Sequence, residues 1–267
     1  MSIARQFSRY VAIGDSSTEG LDDPDPAGGY RGWANRLAER IAATQGRERP
    51  LLYANLGIRG RRTRQILEQQ LAPALAMRPD LATLFTGTND VVAKDFDLAA
   101  VQADVETMQR ALIAGGATVL GFTLPDLTPV MPAARRLAPR IAVLNDALRA
   151  AAGATGALLV DFAAHAVGSD ARLWSDDRLH ANSAGHARIA EALAHALGLP
   201  GSDASWADPL PPEAPAGRGA RLVAEVGWMA RHLAPWVWQH LRGRSSGDGL
   251  TPKRPALAPV PHTHLCE

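Results

Sequence analysis

Five apolar runs of strand length recur along the chain, at 10–13, 51–56, 81–85, 118–124 and 157–162. Between them the apolar residues change period. Trp33, Leu37 and Ile41 repeat every three to four residues, as do Ile66, Leu67, Leu71 and Leu75, then Val101, Val105, Met108 and Leu112. Leu144 and Leu148 continue the rhythm, and Ile189, Leu193 and Leu197 close it. That spacing gathers side chains on one face of a helix, so strand and helix are predicted to alternate five times. None of the five runs alternates cleanly between apolar and polar positions. Both faces of each strand are therefore expected to be buried, which predicts a five-stranded parallel sheet covered by helices on both sides, a three-layer α/β/α sandwich.

In such sheets ligands bind outside the carboxyl ends of the strands. The first run, Tyr10-Val11-Ala12-Ile13, breaks off there into Gly14-Asp15-Ser16. A strand ending in a glycine-flanked serine presents one hydroxyl on a tight turn, where an exposed nucleophile can stand. Gly57 follows the second run and Asn89 the third, which places both at the same edge of the sheet.

The pattern changes after Leu199. Residues 201–217 contain Pro209, Pro211, Pro212 and Pro215 and are expected to form an extended connector. From 218 to 242, Leu222, Val226, Met229, Leu233, Val237 and Leu241 return to helical spacing, with Pro235 bending the second half. Gly, Ser and Pro dominate 243–267, where little fixed structure is expected. The chain thus divides into a domain over 1–200, a connector, an amphipathic helical extension and a flexible tail. Trp206, Trp228, Trp236 and Trp238 all lie in this C-terminal part, and from 218 onward seven basic residues face three acidic ones. A basic helix with tryptophans can lie on a membrane surface, but packing of its apolar stripe on the body or on another subunit is the expected role.

Composition narrows the partners. A hydrophobic fraction of 46% with 21% charged residues is ordinary globular usage. The net charge of +1 gives no reason to expect a nucleic-acid partner. The one cysteine, Cys266, leaves no intramolecular disulfide and no cysteine-ligated metal site. Only Val-Ala-Ile-Gly separates Tyr10 from Asp15, far less than a signal-peptide apolar core, so a cytoplasmic location is the expectation.

A serine needs a base to take its proton, and the base works best when a third group fixes its tautomer. Among the eight histidines, His180 in Asp177-Arg178-Leu179-His180 has an acid three residues upstream on one loop. Asn182-Ser183 then caps the last helix, setting His180 just outside a helix start. Asp161 with His165 is a rival pair, and Asp176 a rival acid; His186 and His195 fall within the helix and read as packing or surface residues. Asp22, Asp23 and Asp25 lack calcium-loop spacing and read as a solvated loop, with Glu19 as a loop charge. Arg59, Arg61 and Arg62 read as a helix-capping, water-facing cluster rather than an anion-steering one.

Taken together, these residues resemble the SGNH hydrolases, also called the GDSL esterase and lipase family. Gly14-Asp15-Ser16 with Gly20 resembles that family's first block, Gly57 the second, Gly87-Thr88-Asn89-Asp90 the third and Asp177-Arg178-Leu179-His180 the last, in family order. Ser17 stands where the family's name has leucine. The resemblance implies a flavodoxin-like sandwich with Ser16 as nucleophile, His180 as base and Asp177 as its orienting acid. It implies an oxyanion site made of the Ser16 and Gly57 amides with the Asn89 side chain, and no need for a metal or organic cofactor. The substrate it implies is a small-molecule carboxylic ester, short acyl groups being expected. The competing class is a noncatalytic binding module that keeps the fold and acts through the tryptophan-rich extension. A nucleotide-binding protein is disfavoured, because the first strand leads into neither a lysine-bearing phosphate loop nor a GxGxxG turn.

Overall fold

The computed structural model describes residues 6–46, 48–212 and 247–261. Its strands are β1 (Arg9–Gly14), β2 (Leu52–Asn55), β3 (Leu81–Phe85), β4 (Thr118–Phe122), β5 (Leu158–Val160) and β6 (Arg254–Pro259). Helices α1 (Ser16–Glu19), α2 (Gly32–Gln45), α3 (Thr63–Ala76), α4 (Thr88–Val91), α5 (Leu98–Ala114), α6 (Ala138–Thr155) and α7 (Ser183–Ala196) connect them. The sheet order is β5-β4-β3-β1-β2-β6. All pairings are parallel except β2 with β6, which is antiparallel.

This order fixes the layers. The chain leaves β1 toward β2 in one direction and returns past β1 to β3, β4 and β5 in the other. Because crossovers between parallel strands are right-handed, α2 falls on one face, and α3, α5 and α6 fall on the opposite one. The helix neighbours agree: α3 lies against α5 and α5 against α6, while α7 lies against α2. The reversal of direction opens a crevice between the carboxyl ends of β1 and β3.

Burial explains the strand composition. Every residue of β3 is buried, as are Tyr10 to Gly14 of β1. Helix α2 turns Trp33, Leu37 and Ile41 into the core, the residues whose spacing predicts it. Near the carboxyl ends of the strands the core becomes aromatic. Phe85 stacks on Phe122 at 4.1 Å, Trp33 and Phe162 meet Phe122 edge-on at 5.3 and 5.6 Å, and Trp206 meets Phe162 at 5.1 Å.

The structure departs from the five-stranded expectation at its C-terminal end. Residues 254–259, expected to be flexible, form β6 on the outer edge of β2, with Leu52 opposite Pro259 and Asn55 opposite Arg254. Pro255 and Pro259 donate no ladder hydrogen bonds, which an edge strand tolerates because one of its sides faces no neighbour. The segment is further tied by Val260, whose N–H donates to Leu51 O at 3.0 Å, and by Lys253, whose Nζ donates to Tyr30 O and Arg31 O at 2.9 and 2.8 Å. The first part of the proline-rich connector also packs on the domain: Trp206 is buried, and Arg188 donates to Trp206 O and Asp208 O at 2.7 and 2.6 Å. The expected helix over 218–242 lies outside the described residues. Among the described residues no helix is long and apolar enough to cross a membrane.

One buried side chain holds the end of β1. Gln70, on α3, accepts from Gly14 N at 2.8 Å and donates to Gly14 O at 2.9 Å, fixing the last residue before the serine turn. Gln70→Leu is close in volume and removes the acceptor of the Gly14 N–H, while Gly14 O keeps its bond from Ile58 N at 3.2 Å. A drop in unfolding free energy of about 1–3 kcal/mol is expected in denaturant titration; an unchanged midpoint would show that these bonds do not hold the strand end.

Candidate active site

Where β1 ends, Asp15 caps the short helix α1, its Oδ1 accepting from Ser17 N at 3.0 Å. Ser16 is therefore the first residue of that helix, and its N–H has no intrahelical acceptor. The side chain stands at the mouth of the crevice. On the far side, His180 precedes α7, in the place its sequence context predicts. Asn182 caps that helix by accepting from Ala184 N and Gly185 N at 3.0 and 3.1 Å, and it donates to Arg172 O and Trp174 O at 2.8 and 3.1 Å. The loop 173–182 is thus closed on itself.

Three side chains meet across this gap. His180 Nε2 lies 2.8 Å from Ser16 Oγ, and His180 Nδ1 lies 2.6 Å from Asp177 Oδ2. An ionised carboxylate only accepts, so Nδ1 carries the proton and Nε2 presents its lone pair to the serine hydroxyl. Asp177 Oδ1 accepts from Leu179 N, His180 N and Ser175 Oγ at 2.8, 2.9 and 2.6 Å. Burial works to raise the Asp177 pKa, but its hydrogen bond to His180, the charge there and these further donors hold it well below the usual carboxylate range. Burial likewise works to lower the His180 pKa, and Asp177, with Asp22 and Asp15 behind it, outweighs that and raises it.

The structure brings Asn89 to the same place and leaves Gly57 out. Asn89 sits in α4, whose start is Gly87 at φ 108°. A Cβ at Gly87 would also come 2.7 Å from Leu144 Cδ2, so only glycine fits this turn. Asp90 anchors α4 by accepting from Thr63 N and Thr63 Oγ1 at 3.0 and 2.8 Å. Asn89 Nδ2 donates to Arg61 O at 3.0 Å and reaches Asp15 Oδ2 only at 3.4 Å, which leaves one amide hydrogen weakly held. Gly57, in contrast, is buried, and its N–H donates to Asn55 Oδ1 at 2.9 Å. That amide is already satisfied and does not face the crevice. Three residues on, Gly60 lines the cavity beside Ser16 and Asn89 at φ 74°, and its N–H has no acceptor among the described residues. Gly60 rather than Gly57 is thus the glycine that borders the cavity.

The other sequence candidates fall elsewhere. Asp161 pairs with Arg149 at 2.9 Å and accepts from Thr123 Oγ1 at 2.8 Å, while His165 packs edge-on against Trp206 at 4.7 Å. His186 is buried; its Nδ1 accepts from Trp33 N at 3.1 Å and its Nε2 donates to Leu21 O at 2.9 Å, and burial lowers its pKa to about 4. It is a neutral structural link, and His195 is exposed, both as expected. Glu19 is not a loop charge: it is buried and binds Arg59, accepting from Arg59 N at 2.8 Å, which fixes the turn that carries Gly60. Arg61 and Arg62 pair with Asp248 and Asp95 at 3.7 and 3.1 Å. Asp23 is buried against Arg36 at 2.7 Å. Asp22 approaches His180 Nδ1 to 3.9 Å, and its Oδ2 lies 2.6 Å from Ser175 Oγ. A lone aspartate in an acidic loop carries no sequence signal for such a role, and neither does Ser175. Asp22, Asp177 and His180 offer ligand atoms within 4.8 Å of one another, but the short His180–Asp177 hydrogen bond occupies the imidazole nitrogen a cation would need.

Ser16, Asn89 and His180 open onto a cavity of about 750 Å³. Its lining includes the apolar Phe85, Phe122, Leu127, Phe162, Ile189 and Trp206 and the charged Arg59, Arg62, Lys94 and Asp95.

These features are those of an SGNH-type ester hydrolase. A comparison with protein families agrees: residues 12–188 match the GDSL-like Lipase/Acylhydrolase family, to which the chain belongs. Among solved structures, LAE5, an alpha/beta hydrolase enzyme from the metagenome of Lake Arreo, Spain, is 26% identical, with a TM-score of 0.56 over 72% of this chain and 95% of that one. The lipase/acylhydrolase from Enterococcus faecalis is 23% identical, with a TM-score of 0.57 over 72% and 96% of the two chains. A catalytic mutant of Axe2, an acetylxylan esterase from Geobacillus stearothermophilus, shares the fold at 19% identity and a TM-score of 0.62, over 78% and 99%. A comparison with curated proteins gives no match.

Asp15 is fully buried, and desolvation raises its pKa from 3.8 to about 7. Between these values the folded chain holds a proton that the unfolded chain has released, so stability falls as pH rises from about 4 to 7 and then levels. Asp15→Asn keeps a good helix cap and removes the buried charge. Chemical denaturation across pH is expected to show the variant more stable than the parent above pH 7 by about 2–4 kcal/mol, the gap closing toward pH 4. A gap independent of pH would contradict the assignment.

Proposed function

We propose that the chain hydrolyses carboxylic esters through an acyl-enzyme on Ser16. The observation that carries this reading is the continuous chain from Ser16 Oγ to His180 Nε2 at 2.8 Å and from His180 Nδ1 to Asp177 Oδ2 at 2.6 Å. In the first step His180 Nε2 takes the Ser16 proton as Oγ bonds to the ester carbonyl carbon. Negative charge collects on the former carbonyl oxygen. The Ser16 N–H, the Gly60 N–H and the loosely held Asn89 hydrogen are the donors placed to receive it. The His180 imidazolium, stabilised by Asp177, then gives its proton to the departing alkoxide as the C–O bond breaks. Water, deprotonated by His180, releases the acid and restores Ser16.

The cavity bears on the acyl group. An acetyl group fills little of about 750 Å³, and the aromatic wall formed by Phe85, Phe122, Phe162 and Trp206 offers apolar surface for a longer chain. Each buried methylene contributes about 0.8 kcal/mol. We therefore favour medium-length acyl chains over the short ones expected from sequence.

Ser16→Ala and His180→Ala are expected to lower kcat on nitrophenyl esters by at least about 10⁴-fold, and Asn89→Ala by about 10²–10³-fold, while Asp161→Asn and His165→Ala retain most activity. Turnover by Ser16→Ala equal to the parent would exclude the nucleophile. Across a nitrophenyl ester series of increasing acyl length, kcat/KM should rise beyond acetate before it falls; a steady decline from acetate would exclude the acyl reading. Because only neutral His180 accepts a proton and its pKa is raised above 6.5, the acid limb of kcat/KM should have its midpoint above that value, activity being lost as pH falls through it.

A further inference from the structure

We infer that Asp22 is a positioning residue for the His180–Asp177 pair, acting through the Ser175 hydroxyl that the two aspartates share. This rests on the reading of Ser16, His180 and Asp177 given above.

Asp22 lies at φ 65°, a region that few residues other than glycine, asparagine and aspartate occupy. Its loop is braced from several sides. Asp23, next in the chain, accepts from Arg36 Nε and Nη2 at 2.7 and 2.8 Å and from Gly32 N at 3.0 Å. Arg31 N donates to Asp23 O at 2.8 Å, Pro24 forms a bridge with Tyr30, and Lys253, just before β6, donates to Tyr30 O and Arg31 O. A left-handed residue held this firmly beside reacting groups points to a function for its side chain.

Ser175 Oγ lies 2.6 Å from Asp22 Oδ2 and 2.6 Å from Asp177 Oδ1. A serine hydroxyl carries one proton, and it rotates to suit its acceptors. Turned to Asp177, it gives Oδ1 a third donor besides Leu179 N and His180 N, and the carboxylate is fixed for His180. Turned to Asp22, it leaves Asp177 with one donor fewer and a stronger hold on the imidazole N–H. In either setting Asp22 Oδ2 is 3.9 Å from His180 Nδ1, a second negative charge facing the ring that must become cationic. The ionisable groups that act on His180 are Asp177 from its own loop, Asp22 from the loop after α1, Asp15 from the end of β1 and neutral His186 from α7. Asp22 alone among them reaches both His180 and, through Ser175, the orienting acid.

The test is the pH profile of kcat/KM on a nitrophenyl ester for the parent, Asp22→Asn and Ser175→Ala, with Ser16→Ala alongside. Asparagine tolerates the left-handed backbone, so Asp22→Asn keeps the loop and removes the charge. For Asp22→Asn the acid limb should move to lower pH by about half a unit or more, and plateau kcat should fall about three- to tenfold with KM unchanged. Ser175→Ala should lower kcat by a similar factor, and adding it to Asp22→Asn should cost less than the product of the two single effects, because the two residues act as one unit. An acid limb and kcat equal to the parent's in Asp22→Asn, with Ser16→Ala inactive, would overturn the inference and leave the catalytic reading standing. Parental turnover by Ser16→Ala would overturn both.

Discussion

The contact between His180 Nε2 and Ser16 Oγ, 2.8 Å long and joining residues 164 apart in the chain, is the constraint the fold has to satisfy. Hydrogen-bond distance between two side chains on different loops demands that both loops be fixed to within a fraction of an ångström. The sheet does the coarse placement. Its change of winding direction beside β1 opens the crevice that receives both, with Ser16 at the end of the first strand and His180 ahead of the last described helix. The finer placement is local: Gln70 holds Gly14, Asn182 closes the histidine loop, and Glu19 and Asp90 anchor the turns that carry Gly60 and Asn89.

These anchors are buried polar groups, and the site is built from their differences. His180 and His186 lie six residues apart, yet their environments push them in opposite directions. Burial without a partnering charge in contact keeps His186 neutral, with a pKa of about 4, so it serves as a fixed link from α7 to the loop at Leu21 and the start of α2. His180 is buried as well, but Asp177 in direct contact reverses the effect and raises its pKa. Titratable neighbours driven apart in this way separate structural from chemical roles. Asp15, next to Ser16 in the chain, is a carboxyl shut away from water, its pKa raised to about 7 by burial.

Much of this was legible in the sequence, and the exceptions have physical causes. The five parallel strands read clearly because burial on both faces leaves continuous apolar runs. The pair Asp177 and His180 read clearly because a three-residue spacing on a loop brings a carboxylate to an imidazole. β6 did not: Arg254–Pro259 is an edge strand holding two prolines, and only its pairing with β2 makes it a strand. In Asn55-Leu56-Gly57-Ile58-Arg59-Gly60 either glycine has the freedom to turn its amide outward, and the choice is made by Asn55, whose side chain claims the Gly57 N–H. Asp22 and Ser175 were illegible because their relation spans 153 residues and leaves no local spacing.

In the proposed reaction Ser16, activated by His180, forms a covalent acyl bond facing Gly60 and Asn89. A crystal structure of the protein after reaction with an alkyl fluorophosphonate tests it most directly. Phosphorus should be bonded to Ser16 Oγ, with a phosphoryl oxygen within hydrogen-bond distance of Ser16 N, Gly60 N and Asn89 Nδ2 and the alkyl chain against Phe122 and Phe162. An adduct on any other residue, or a phosphoryl oxygen turned away from both Gly60 and Asn89, would contradict it.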